Sequence, residues 1–335
     1  MVNNQTMING DELTVVVPIY NVQNYLVKCV HSLEGQSIRI GQIMLVDDGS
    51  TDQSGAIADK MATQYENIIV VHQKNGGLSA ARNAGLNRCQ TKYVTFVDSD
   101  DYVDSNMYET LLLNIEEARA DISIGGVWRE DIDGRKSSIY EPGIKKEWYK
   151  KDALIQLNSY SYFNMSFCDK VFKRELFELD AYGSKGLRFP VGKTSEDYYL
   201  MHQVVARAEK VVYVSDPFYH YVQRQGSISR NAKINKEPLR ASIAQMEFYQ
   251  KWFPELAYVG ETACAFSHMG LYAGYLRKGI SCPKEELKYA RGMVKKLLPS
   301  VLKNKYIPKI KKAQAVSFCY FPPIYKAVIS RTQHR

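Results

Sequence analysis

The first 130 residues alternate two hydrophobic periods. LTVVVPIY (13–20) is a continuous apolar run ended by Pro18, the pattern of a strand buried on both faces that opens into a loop. Residues 24–36 follow with helical spacing. IMLVDDGSTD then predicts a strand over 43–46, a turn at Gly49-Ser50, and a helix capped at Thr51 or Asp52 that carries Ala56, Ile57, Met61 and Tyr65. The unit repeats: strand 68–72, a KNGG loop, helix 78–88, strand 93–97, an acidic loop, helix 106–118 and strand 121–127. Such a βαβ succession predicts an α/β fold with a mostly parallel sheet flanked by helices.

Beyond residue 128 the pattern loosens. Residues 129–150 read as a charged surface excursion, and CDKVFKRELF (168–177) as a short strand running into a helix. In FPVGKTSEDYYLMHQVVARA, Glu196 and Asp197 fall in the first turn of an apolar helix. VVYV, a turn at Pro217 and a flexible YHYVQRQGSIS (219–229) carrying His220, Arg224, Ser227 and Ser229 follow. Residues 237–252 and 261–278 read as helices rich in aromatic residues, Met and Ala.

Length and composition narrow the class. With 335 residues, 45% of them hydrophobic and 24% charged, the chain has material for a sizeable core, and wholesale disorder is excluded. The six cysteines are at least 18 residues apart, with no CxxC pair, so reduced thiols and a cytoplasmic location are expected. The N-terminus lacks the character of a secretory signal and no run of 18 apolar residues occurs, so no membrane span is expected. The net charge of +8 is unevenly spread: residues 282–335 hold 13 Lys and Arg against 2 acids, a net +11, which leaves residues 1–281 at −3. A solvated basic face accounts for that bias, as does docking on an anionic surface.

In an open parallel sheet, ligands bind beyond the carboxyl ends of the strands. Four consecutive strands deliver polar residues there: Pro18, Tyr20 and Asn21; Asp47 and Asp48; Lys74 to Gly77; Asp98 to Asp101. Each loop alone also reads as ordinary punctuation, VDDGSTD as a turn and helix cap, NGGLSAARN as a turn before an Ala-rich helix, and Thr194 to Asp197 as a capping box. The carboxylates clustered at one sheet edge argue against that, because adjacent like charges need a cation or strong donors. A hard divalent metal would satisfy them.

VVVPIYN (15–21), VDDGSTD (46–52), NGGLSAARNAG (75–85), VDSDD (97–101), TSEDYYL (194–200) and YHYVQRQGSIS occur in this order over roughly residues 12–229. In these six segments the sequence resembles the family 2 inverting glycosyltransferases. The resemblance implies a Rossmann-like GT-A fold for a catalytic domain over 1–230, and the region over 231–335, which lies outside it, reads from its own residues as a basic, helical C-terminal extension. It implies transfer of a hexosyl or N-acetylhexosaminyl group from a nucleotide sugar, most often a UDP-sugar, to a hydroxyl of a glycan or lipid-linked acceptor. A protein-attached glycan is the alternative acceptor, and an inactive membrane-associated scaffold the alternative class. The nucleotide contacts it implies are Pro18, Tyr20, Asn21, Asp48, Asn75 and Asp98. It further implies Mn²⁺ or Mg²⁺ at Asp100 with His220, Asp197 as catalytic base, and Glu196 and Arg224 as substrate contacts. For His220 a plain surface histidine is the other reading.

The chemistry agrees on independent grounds. Displacing a nucleoside diphosphate needs charge neutralised on the departing oxygens, and an attacking hydroxyl must lose its proton to a carboxylate standing apart. A phosphatase of the haloacid dehalogenase type is disfavoured because Asp100 is followed by Asp101 and Tyr102, on the fourth strand rather than the first. A dehydrogenase is disfavoured because no G-x-G-x-x-G follows strand one. Nucleic acid is not an expected partner, whereas the basic tail, with FCYFPPIY (318–325), suits peripheral attachment to an anionic membrane.

Overall fold

The computed structural model describes residues 9–224 and 234–331. Ser227, Ser229 and the division expected at residue 230 lie outside the described residues. The chain divides into two compact units, Met1–Leu154 with Ser161–Gln225, and Ile155–Tyr160 with Gly226–Arg335.

The first unit is built on one ten-stranded sheet. Its leading half follows the predicted alternation, with β1 (Leu13–Ile19), α1 (Leu26–Glu34), β2 (Gln42–Asp47), α2 (Ser54–Gln64), β3 (Ile68–His72), α3 (Leu78–Arg88), β4 (Tyr93–Phe96), α4 (Met107–Ala118) and β6 (Ile122–Glu130), and adds a short unpredicted strand, numbered β5 (Tyr102–Val103), in the acidic loop between β4 and α4. The order β3-β2-β1-β4 is parallel throughout. Every residue of β1 is buried, as a strand covered on both faces requires.

Pro18 does not end β1; it pairs opposite Val46. The Val16 carbonyl accepts from Val97 N, so residues 16 and 18 face β4, whose pairing stops at Val16–Phe96. The next donor toward β4 would be the residue-18 N–H, so its absence in Pro18 ends the β1–β4 ladder there, while pairing with β2 continues to Ile19–Asp47.

Past β4 the sheet is mixed. The elements are β7 (Lys136–Ser138), β8 (Lys145–Tyr149), α5 (Lys150–Gln156), β9 (Lys170–Lys173), α6 (Glu196–Arg207) and β10 (Lys210–Val222). β9 enters antiparallel between β4 and β6, and β10 runs parallel to β6. Residues 129–150 are not a bare excursion, because β7 and β8 pair antiparallel with β6 and β10. The segment after β9 is a single 3₁₀ turn, Arg174–Phe177, rather than a longer helix. β10 continues through Pro217, with register shifts on either side of it, so His220 stands in a strand and not in a flexible segment.

The second unit is helical, as expected: α7 (Glu237–Trp252), α8 (Ala257–Arg277), α9 (Lys284–Lys303), α10 (Lys309–Tyr320) and α11 (Pro322–Arg331). Its core gathers Cys264, Met269, Val294, Leu297, Leu298, Phe318 and Tyr325. Pro322 opens α11, where a missing N–H costs nothing. Among the described residues no helix is long and apolar enough to cross a membrane, and the six cysteines are free thiols.

Candidate active site

The loops leaving β1, β2, β3 and β4 meet at the carboxyl edge of the sheet. Asn21, at a left-handed φ of 52°, turns its Oδ1 onto the amides of Thr51 (2.8 Å) and Asp52 (3.3 Å) and so pins the loop after β2 to the loop after β1. Asp48 is buried and accepts from Gln73 Nε2 (2.6 Å), Gly76 N (2.9 Å) and Gly77 N (2.7 Å), which fixes the KNGG loop. The two loops approach so closely that Gly49, at φ 72°, admits no side chain: a Cβ there would lie 2.9 Å from Asn75 N. Tyr20 (48% exposed) and Asn75 stand open at this edge, whereas Pro18 is buried beneath it.

The acidic loop after β4 divides its carboxylates by role. Asp101 is buried, accepting from Tyr219 OH and from Val222 N at 2.8 Å, so it ties the end of β10 to the loop. Asp98 and Asp100 keep 34% and 22% of their side chains exposed. Asp100 Oδ2 accepts from Arg224 Nε at 2.6 Å, and the Arg224 guanidinium lies 5.1 Å from the Tyr25 ring centre. Burial pushes the Asp100 carboxyl above the usual range and Asp98 adds repulsion, against the pull of Arg224.

Asp98 is joined to the Glu-Asp pair by a residue to which the motifs assign no role. Arg82, on α3 inside NGGLSAARNAG, has 2% of its side chain exposed. Its Nη2 donates to Asp98 Oδ1 at 2.8 Å, and its Nη1 donates to Glu196 Oε1 at 2.8 Å and to Asp197 Oδ1 at 2.9 Å. One guanidinium thus serves three carboxylates. Burial pushes the Asp197 carboxyl up, to about 7; Arg82 opposes this, while Glu196 and Asp98 add to it. The sequence does carry a signal for Arg82: with Ser79 and Leu86 it falls on the buried stripe of α3, and a charge on such a stripe needs partners.

The capping-box reading of Thr194 to Asp197 does not hold. α6 begins at Glu196, its N-cap Ser195 sits at a left-handed φ of 60° and makes no side-chain cap bond, and both acids turn to Arg82. A non-glycine residue in that region is strained and marks a position that its surroundings over-determine.

His220 is neither a surface histidine nor gathered with the acids into a metal-ligating group. It is buried in β10, stacked 4.1 Å from the Tyr102 ring centre, with Nε2 2.8 Å from Asp104 Oδ1 and Nδ1 4.0 Å from Glu130 Oε2. Among the described residues no group of three or more His, Cys, Asp and Glu is arranged to hold a metal by itself. Asp98 and Asp100 nonetheless offer hard, partly exposed oxygens, and two carboxylates leave coordination positions to a phosphate ligand.

Residues 14–179 match the family described as Glycosyl transferase family 2. The chain is 39% identical over 233 residues to the glycosyltransferase GlyA of Streptococcus pneumoniae, covering 67% of this chain but only 32% of GlyA, about a third of that longer protein. To the glycosyltransferase GlyG of the same organism it is 37% identical over 228 residues, covering 65% of this chain and 73% of GlyG. The structure superimposes on that of S. aureus TarS 1–349 in complex with UDP-GlcNAc with a TM-score of 0.64 at 19% identity, over 96% of this chain and 90% of that one. With the ordered motifs and the sheet edge they build, these likenesses establish that the chain belongs to glycosyltransferase family 2 and carries its GT-A fold with a helical C-terminal region.

Proposed function

We propose that this glycosyltransferase moves a sugar from a UDP-sugar to a hydroxyl of a glycan or lipid-linked acceptor, with inversion at the anomeric carbon, in polysaccharide or glycoconjugate synthesis. The observation that carries the reading is the Arg82 hub, which holds a carboxylate for the diphosphate side, Asp98, and a separate candidate base, Asp197, on one buried cation. The likeness to TarS, whose structure holds UDP-GlcNAc, supports a UDP-sugar as donor.

Tyr20 and Asn75, exposed on loops braced by Asn21 and Asp48, are disposed to contact the nucleotide. Asp98 and Asp100 would hold Mn²⁺ or Mg²⁺, which when bound neutralises charge on the departing diphosphate. His220, engaged with Asp104 and Tyr102, is left out of that set. Arg224 keeps Asp100 compensated, and its guanidinium is of the type that binds phosphate oxygens.

Asp197 takes the proton of the attacking hydroxyl. Its Oδ1 is anchored to Arg82, and Oδ2 has no hydrogen bond among the described residues, so Oδ2 receives the proton while the carboxylate stays oriented. Glu196, on the same guanidinium, fixes the first turn of α6 beneath it. The basic C-terminal helices bring the enzyme to an anionic membrane surface, where a lipid-linked acceptor would lie.

Release of nucleotide from a panel of UDP-, GDP- and dTDP-sugars with Mn²⁺ tests this reading. A response confined to UDP-sugars supports it, and a response to GDP- or dTDP-sugars alone contradicts the donor assignment.

A further inference from the structure

Helix α9 has two faces. Ala290, Val294, Leu297, Leu298 and Val301 are buried in the second unit's core. Lys284, Lys288, Arg291 and Lys295 recur at i, i+4, i+7 and i+11, which stacks them along one side of the helix. With Leu287, Gly292 and Cys319 they line a surface cavity of about 370 Å³. Four of its seven lining residues are cations and none is an acid.

The groove is built rather than incidental. Arg291 Nη2 donates to the Cys319 carbonyl at 2.7 Å, which holds its guanidinium against α10. Gly292 leaves the wall open, since a Cβ there would meet nothing within 4 Å. Among the described residues none of the four cations forms an ion pair, although like charges one turn apart on a helix repel. A bound anion would remove that repulsion.

An apolar strip continues from the groove. The Lys295 ammonium lies 5.4 Å from the Tyr320 ring centre, and from Tyr320 the chain passes into Phe321, Ile324 and Val328. Tyr320, Phe321, Ile324 and Val328 are 50%, 55%, 57% and 39% exposed, while Tyr325 and Ile329 of α11 turn inward. A free phosphate has no use for such a strip. A phospholipid has, because its phosphate sits at the edge of a hydrocarbon layer.

We infer that the α9 groove binds the phosphate headgroup of an anionic phospholipid, with Phe321, Ile324 and Val328 meeting the acyl region beside it. This rests on the membrane-docking part of the proposed function and is independent of the catalytic part. It adds a defined site to what is otherwise diffuse charge attraction.

The test is co-sedimentation of the full chain with phosphatidylcholine vesicles, with and without phosphatidylglycerol. Two variants are compared with the wild type: the triple reversal Lys284→Glu, Lys288→Glu, Lys295→Glu, all at exposed positions, and Gly292→Leu, which fills the groove and keeps every charge. Thermal melts and donor hydrolysis verify that both variants are folded. The wild type should bind only the anionic vesicles, the triple variant should lose on the order of 100-fold in partitioning, and Gly292→Leu should lose several-fold. If the wild type ignores anionic vesicles, the docking reading and the groove fall together. If the wild type binds and either variant binds equally well, the groove is overturned while the docking reading stands.

Discussion

Arg82 and Asp197, 115 residues apart in the chain, meet with Nη1 2.9 Å from Oδ1. The contact joins α3 to the first turn of α6. Because the same guanidinium holds Asp98 and Glu196, the proposed base and the carboxylate proposed for the diphosphate side cannot move independently. Arg82 is thus a positioning residue that acts through the acids on either side of it.

Replacing Arg82 separates its geometry from its charge. Arg82→Lys retains the charge but offers one ammonium where three carboxylates need a fork. Sugar transfer should drop by about 100-fold or more while the protein still folds. Arg82→Ala leaves three acids without their buried counter-charge and should lose about 3–5 kcal/mol of stability. Denaturant melts with parallel transfer assays distinguish the two, and a Lys variant with wild-type transfer would remove the hub argument.

The pH dependence follows from the raised Asp197 carboxyl. A base must be ionised to accept a proton, and this group ionises near 7 instead of at its ordinary 3.8. Since kcat/KM reports the free enzyme, it should fall about tenfold per pH unit below an inflection near 7. The same shift sets the sign for stability: between about pH 4 and 7 the folded state holds a proton that the unfolded state has released, so stability declines as pH rises through that window. A flat kcat/KM from pH 5 to 8 would contradict the assignment.

Asp100→Asn tests the cation. The amide keeps the shape, removes the charge and leaves Arg224 a weaker partner. Metal-stimulated donor hydrolysis should fall by about 100-fold or more with the melting temperature little changed, because Asp100 is partly exposed. Full activity of this variant in the presence of EDTA would exclude a cation at Asp100.

Gly85→Ala tests the packing of α3 on β1. A Cβ at residue 85 would lie 2.3 Å from Val16 Cγ1, and Val16 is fully buried in a central strand. Although alanine is the better helix former, overpacking should cost about 1–3 kcal/mol, read as a lower melting temperature. An unchanged melt would show that the contact relaxes freely.

The elements legible in the sequence are those with sustained periodicity. β3 and α3 lie where the pattern places them, at 68–72 and 78–88, because an apolar run bounded by a glycine-rich loop has few other solutions. β5, β7 and β8 are two to five residues long, the last two rich in polar side chains, and such strands exist only through the neighbours that pair with them. Pro217 reads as a turn in the sequence but lies within β10, because the compensating register shift involves β6, nearly a hundred residues away. Motif order points to Asp98, Asp100, Glu196 and Asp197, and the structure gathers three of them, Asp98, Glu196 and Asp197, on Arg82. What each carboxylate touches is not legible: Asp48 braces a loop and Asp101 anchors β10, roles set by three-dimensional neighbours. The stripe that marks Arg82 competes with a plainer reading, since an arginine in an Ala-rich helix is also an ordinary helix former.

The central claim is that Asp197 is the base of a sugar transfer whose donor is held elsewhere in the site. Asp197→Asn, compared with the wild type by calorimetric titration of UDP in the presence of Mn²⁺ and by sugar transfer from a UDP-sugar, separates the two functions. The account predicts near-normal UDP affinity with transfer reduced by at least about 100-fold. Lost UDP binding with residual transfer intact would contradict it.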